Sequence, residues 1–265
     1  MTDTEPTALN PQRIKTLQSA LTATREELFQ LVLTPDMEVA GVLLRNPHLN
    51  EDHLLALLKR RDLPETLLKN IYQRHANKLS HRLILALVKN PNLPGAIMRT
   101  LLPHLRLFEL LDLCFLPGIT PDQKLAAERA ILQRLPTTPL GNKMTLARRG
   151  TTTVVGELLK DGDSRLVEIC LNSPRMTEAS VFQFINGPKA NATTLSMVAR
   201  NSRWKSRPNL QLALLKNRQT PTVWFTLWVP SLPIHTVNQL LAGRRLNPAQ
   251  KNAIQDVIKR RKTIR

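Results

Sequence analysis

Leucine-rich amphipathic stretches separated by short polar turns run along most of the chain. From Leu43 to Leu58 the sequence reads LLRNPHLNEDHLLALL, and from Leu87 to Leu102 it reads LVKNPNLPGAIMRTLL. Each apolar run closes on a cation and an asparagine, passes through a proline-containing turn and restarts. Asparagine tolerates the left-handed conformation that ends a helix, and a residue before proline is pushed out of the α region. Asn46-Pro47 and Asn90-Pro91 are therefore predicted helix stops. Asn50 and Thr177 are predicted N-caps, and Pro94 and Pro221 sit in a first turn, where the missing N–H is harmless. The pattern predicts helices throughout.

Aligning the apolar residue of each turn gives Leu49, Leu93, Thr138, Met176 and Thr220, which are 44, 45, 38 and 44 residues apart. Secondary turns at Leu63, Thr152 and Trp204 divide these units into two or three helices each. The clearest self-match sets LILALVKNPNLP, from Leu83, against LQLALLKNRQTP, from Leu210, at an offset of 127 residues. Leu83, Leu85, Leu87, Leu210, Leu212 and Leu214 are expected to include the buried layer of two equivalent helices.

A period of about 40 to 47 residues with paired helices is that of HEAT and armadillo units, which this chain resembles over roughly residues 35 to 230. The turn of the form NP-x-L/T-P followed by a leucine-rich helix resembles the leucine-rich-repeat variant. The resemblance implies an all-α fold, a right-handed α-solenoid of stacked HEAT-like repeats with a period of about 44 residues. Such units bury their apolar faces only by stacking, which creates an extended binding surface. The expected organisation is an N-terminal segment with a partly ordered cap helix over residues 1–34, the solenoid over 35–255 and a basic tail over 256–265.

Composition supports helices over sheets: aromatics make up 4% of the residues and there are nine glycines. The polar, acidic amino terminus does not read as a secretory signal, and the apolar stretches are too short to span a bilayer, so a cytoplasmic protein without a transmembrane segment is expected. Cys114 and Cys170 lie in apolar sequence and read as reduced core thiols. They do not supply the cysteine cluster of an iron–sulfur protein.

Charge changes the picture most. Residues 179–265 hold fifteen lysines and arginines against one aspartate, while residues 1–178 hold 23 against 19 carboxylates. Unpaired positive charge on a packed surface repels itself, so a folded basic segment suits an anionic partner. The candidate contacts are Arg200, Arg203, Lys205, Arg207, Lys216, Arg218, Arg244, Arg245, Lys259, Arg260, Arg261 and Lys262. Trp204, within the dense segment ARNSRWKSRPN, is a candidate for stacking on a base, or else fills the inward turn position of Leu49 and Leu93. The pairs Arg45-Asn46, Lys89-Asn90, Arg200-Asn201 and Lys216-Asn217 also suit the negative end of a helix dipole.

Catalytic patterns are missing from the sequence. His48, His53, His75, His81, His104 and His235 form no HExxH, and no GxSxG, GxGxxG or P-loop is present. No cofactor, metal or small-molecule substrate is expected. The leading expectation is a non-catalytic protein that engages nucleic acid or another polyanion through its C-terminal third. The alternatives are a scaffold for acidic proteins or anionic membrane surfaces, and a HEAT-like DNA glycosylase. The glycosylase would draw on Trp204, Trp224 and Trp228 and on a carboxylate among Asp161, Asp163, Glu168 and Glu178.

Overall fold

The structure, a computed structural model, describes residues 11–243 and 245–263, with the side chains of residues 11, 77 and 261–263 left out. Every regular element among these residues is helical. The first nine helices are α1 (Pro11–Thr22), α2 (Arg25–Val32), α3 (Met37–Leu43), α4 (Glu51–Leu57), α5 (Glu65–His75), α6 (His81–Val88), α7 (Gly95–Leu101), α8 (Leu107–Cys114) and α9 (Pro121–Arg134). The next nine are α10 (Leu140–Arg149), α11 (Thr152–Leu159), α12 (Ser164–Asn172), α13 (Glu178–Ile185), α14 (Ala192–Arg200), α15 (Pro208–Lys216), α16 (Thr222–Trp228), α17 (Ile234–Ala242) and α18 (Pro248–Thr263). The chain divides into two compact units, residues 1–130 and 131–265. Among the described residues no helix is long and apolar enough to cross a membrane.

The second nine helices repeat the first nine at one constant offset. Adding 127 to the bounds of α2 gives those of α11, and adding it to α7 gives α16. The 3-10 turn Leu102–His104 maps in the same way onto Val229–Ser231. The starts of α4, α5, α6, α8 and α9 map onto those of α13, α14, α15, α17 and α18. Without a gap, 26 of the 124 positions from residue 11 to 134 are identical to their counterparts, and the densest run of identities, Leu83 to Asn90, covers α6 and the turn after it. The twelve-residue match around Leu83 and Leu210 is thus the visible part of a nine-helix tandem repeat.

The helix ends are built locally. Asp36 accepts from the backbone N–H groups of Glu38 and Val39, and its counterpart Asp163 accepts from that of Arg165, which satisfies donors a helix start leaves open. Asn50, Ser80, Thr151, Thr177 and Asn191 cap α4, α6, α11, α13 and α14 in the same manner. Gly162, in the turn before α12, has φ +76, and a Cβ there would stand 2.9 Å from the Lys189 carbonyl oxygen. Only glycine meets both demands without strain.

The asparagines that end the apolar runs are ties between turns. Asn90 donates through Nδ2 to the Arg60 carbonyl at 2.8 Å and accepts at Oδ1 from the Asn92 N–H at 3.1 Å. Asn217 donates to the Ile185 carbonyl at 2.6 Å and accepts from the Gln219 N–H at 2.8 Å. Asn46 does the same with Ala20 and His48. Asparagine suits this place because one amide both accepts and donates. The cation before each asparagine stands at or next to the helix end, where the dipole favours it.

Helices two apart pack together: α2 on α4, α4 on α6, α10 on α12 and α13 on α15. Buried layers therefore follow helical spacing, with Leu83, Leu87, Leu210 and Leu214 buried. Leu85 and Leu212 are only half-buried, contrary to the sequence expectation. Two residues advance a helix by about 200°, which turns them away from the face of their neighbours. The expected boundary between residues 255 and 256 falls inside α18, whose Ile254 and Val257 are buried on either side of it. The N-terminal segment contributes α1 and α2, which pack on α3 and α4. Cys114 and Cys170 are buried free thiols, and burial pushes both up to about 12.

Candidate nucleic-acid interface

The second unit, residues 131–265, carries 22 lysines and arginines against six carboxylates, whereas the first carries 16 against 14. Several of the six carboxylates are occupied. Asp161 accepts from the Lys143 ammonium at 2.6 Å and lies 3.5 Å from that of Lys189, and the Lys143 hydrogen bond holds its carboxyl below the usual range. Asp163 is held low in the same way by Arg165. The remaining cations carry an excess that must face solvent or a ligand.

A groove forms along α13 and α15. From α13 it takes Ala179, Phe182, Gln183 and Asn186, and from α15 it takes Asn209, Leu212, Ala213 and Lys216. Each set has the spacing i, i+3, i+4, i+7, which places it in a stripe on one helix face. The groove holds about 760 Å³ and meets a second hollow of about 530 Å³ through Asn186, Lys216 and Arg245. Arg218 and Asn247 line that second hollow.

Lys216, Arg218 and Arg245 thus converge at one end of a continuous groove, and none has an ion-pair partner among the described residues. Phe182 forms part of the wall and is 46% exposed, a large apolar surface left to solvent. The Gln183, Asn186 and Asn209 amides stand beside it. At the other end Glu178 lies 4.0 Å from Arg207. From Asn209 to Lys216 the helix rises about 10 Å.

The sequence candidates meet different fates. Lys216, Arg218 and Arg245 are brought together, and Arg207 reaches the groove mouth through Glu178. Arg200, Lys205, Lys259 and Arg260 are exposed but line neither hollow. Arg203 is committed to the fold: its guanidinium donates to the Ser173 and Met176 carbonyls at 2.8 and 2.9 Å and lies 4.5 Å from the Trp204 ring centroid. Trp204 is not a stacking surface. It is 3% exposed, and its indole N–H donates to the Leu171 carbonyl at 2.9 Å. A tryptophan gains more from burying its ring with the N–H satisfied than from standing in water. Arg244 lies outside the described residues, as do the side chains of Arg261 and Lys262.

Sequence reasoning missed Phe182 and the amides, because it searched for cation density. Their signal was the stripe spacing on α13, which leaves an aromatic residue on the wet side of the helix. Trp224 and Trp228 pack on each other at 5.2 Å between ring centroids, and the Trp224 N–H donates to Ser196 Oγ at 3.1 Å. Among the described residues, no three histidines, cysteines or carboxylates stand close enough to hold a metal. No protein-family model, curated protein or solved structure matches the chain.

Proposed function

We propose that the chain is a non-catalytic nucleic-acid-binding protein whose α13–α15 groove holds a single strand. The observation that carries this reading is the convergence of Lys216, Arg218 and Arg245 beside exposed Phe182 and the Gln183, Asn186 and Asn209 amides. Cations neutralise phosphates, amides both donate to and accept from base edges, and an exposed ring takes an unstacked base. An acidic peptide would use the cations and leave the ring and amides without a role. Duplex nucleic acid keeps its bases stacked and away from the ring.

Each unit is, in this reading, a right-handed stack of HEAT-like helical repeats. Packing between helices two apart supports stacking. The 44-residue spacing of the turn residues spans three helices, for example α4, α5 and α6 between Leu49 and Leu93. Grooves between stacked helices then face one way, as a binding surface requires.

Fluorescence anisotropy with a labelled single-stranded oligonucleotide at several salt concentrations tests the function. Replacing Lys216, Arg218 and Arg245 together with glutamine is expected to weaken binding and to flatten the salt slope by about 2, since each lost phosphate contact removes about 0.7 on single strands. Phe182→Ala is expected to cost about tenfold in affinity with the slope unchanged. Binding that survives both changes, or an acidic peptide that binds as tightly as the oligonucleotide, would overturn the reading.

A further inference from the structure

The 127-residue repeat carries the groove with it. In the first unit α4 and α6 form a hollow of about 630 Å³, lined by the counterparts of the second-unit stripes. Leu55 stands for Phe182, Lys59 for Asn186, Arg82 for Asn209 and Lys89 for Lys216, each 127 residues earlier. The half-buried Leu85 lines the hollow, as Leu212 lines the second-unit groove. The charge of the whole unit is nearly balanced, so composition gives no hint of this site.

Locally the balance is different. Lys59, Arg61, Arg82 and Lys89 all line the hollow, against a single carboxylate, Asp52. Asp52 lies 3.7 Å from Arg82, and both are exposed. The Arg61 guanidinium donates to the Pro117 carbonyl at 2.5 Å. Lys59 and Lys89 are exposed and have no ion-pair partner among the described residues. The amide at this groove, that of Asn90, is already spent on Arg60 and Asn92. Positions that hold Phe182 and the Gln183, Asn186 and Asn209 amides in the second unit, where Asn186 also donates to the Phe182 carbonyl, hold leucine, alanine and cations in the first, whose hollow takes its ring, the 41% exposed Phe29, from α2.

We infer that the α4–α6 groove is a second nucleic-acid site, one that grips the phosphate backbone by charge and a base face by Phe29, and does not discriminate among bases. This rests on the nucleic-acid reading of the α13–α15 groove. The two sites share a frame and divide the work: cations and a ring hold any sequence, because stacking tolerates every base, whereas the added amides of the second unit discriminate among bases.

The test uses the full chain and a single-stranded hexanucleotide, supplied in excess so that each groove can take its own molecule. Calorimetry at low salt is expected to give two hexanucleotides per chain for the unaltered protein. Lys59→Gln with Lys89→Gln is expected to leave one, bound with undiminished base preference. In the complementary protein, with Lys216, Arg218 and Arg245 replaced by glutamine, the surviving site is expected to bind hexamers of different base sequence equally tightly. One hexanucleotide per chain, unchanged by the Lys59/Lys89 replacements and lost with the Lys216/Arg218/Arg245 replacements, would overturn the second site while leaving the first reading intact. A tenfold preference of the surviving site for one base sequence would also overturn it. Absence of any hexanucleotide binding would overturn both readings.

Discussion

Gln250 donates through Nε2 to the Asn217 carbonyl at 3.2 Å, as Gln123, 127 residues earlier, does to the Asn90 carbonyl at 2.9 Å. Gln250 also donates to the Thr220 carbonyl at 2.7 Å and accepts at Oε1 from the Asn247 N–H at 3.0 Å. One fully buried amide therefore joins the start of α18 to the turn that presents Lys216 and Arg218. Gln250→Ala is expected to cost about 1 to 3 kcal/mol, because it leaves buried carbonyls without a donor. Gln250→Glu is expected to cost more, since a carboxylate facing two carbonyl oxygens adds repulsion. Urea denaturation monitored by circular dichroism measures both, and an unchanged midpoint in the glutamate variant would contradict the tie.

Arg203 and Lys205 stand two residues apart in the most basic stretch of the chain, yet they are expected to separate cleanly on substitution. Arg203→Gln breaks two charged hydrogen bonds to the Ser173 and Met176 carbonyls and is expected to destabilise by about 1 to 3 kcal/mol. Lys205→Gln alters an exposed side chain and is expected to leave stability within about 0.5 kcal/mol. Neither is expected to change the affinity of the folded protein for an oligonucleotide as much as Lys216→Gln. Thermal unfolding and anisotropy on the same three proteins provide the check.

Asp161 sets a pH dependence. Its carboxyl lies below the ordinary value of 3.8 in the folded chain, chiefly through the Lys143 hydrogen bond. The unfolded state therefore takes up this proton first as pH falls, and the stability from the carboxylate is full at pH 7. It is lost as pH drops below 3.8 and through the folded-state value. Asp161→Asn is expected to be less stable than the parent at pH 7 by about 1 kcal/mol. The gap is expected to close in acid, and chemical denaturation of the pair at both ends of that range would expose a constant gap if the assignment were wrong.

Local chemistry alone specified much of this molecule. Asn46-Pro47, Asn90-Pro91, Asn50 and Thr177 mark helix ends because capping and steric exclusion act within a few residues. Self-similarity around Leu83 and Leu210 was legible because those positions join a cap, a turn and a buried stripe. The rest of the repeat was hidden because a buried site asks for volume and apolarity, not identity. Leu28 is matched by Val155, Leu43 by Cys170 and Met98 by Phe225, and all six are buried.

Charge density along the chain pointed to the second unit but not to the groove. Arg203, Trp204 and Lys205 are neighbours in sequence, yet the first two are fastened to carbonyls about 30 residues back while Lys205 faces solvent. Lys216, Arg218 and Arg245 meet only because the turns after α15 and α17 are brought side by side, with Asn247 donating to the Arg218 carbonyl at 3.2 Å. Sequence determined which segments are helices and where they stop, since those choices are made by the backbone and its nearest side chains. Tertiary structure decided which cations are left free and which aromatic ring stays wet, because burial and hydrogen-bond satisfaction are settled by neighbours about 30 residues away.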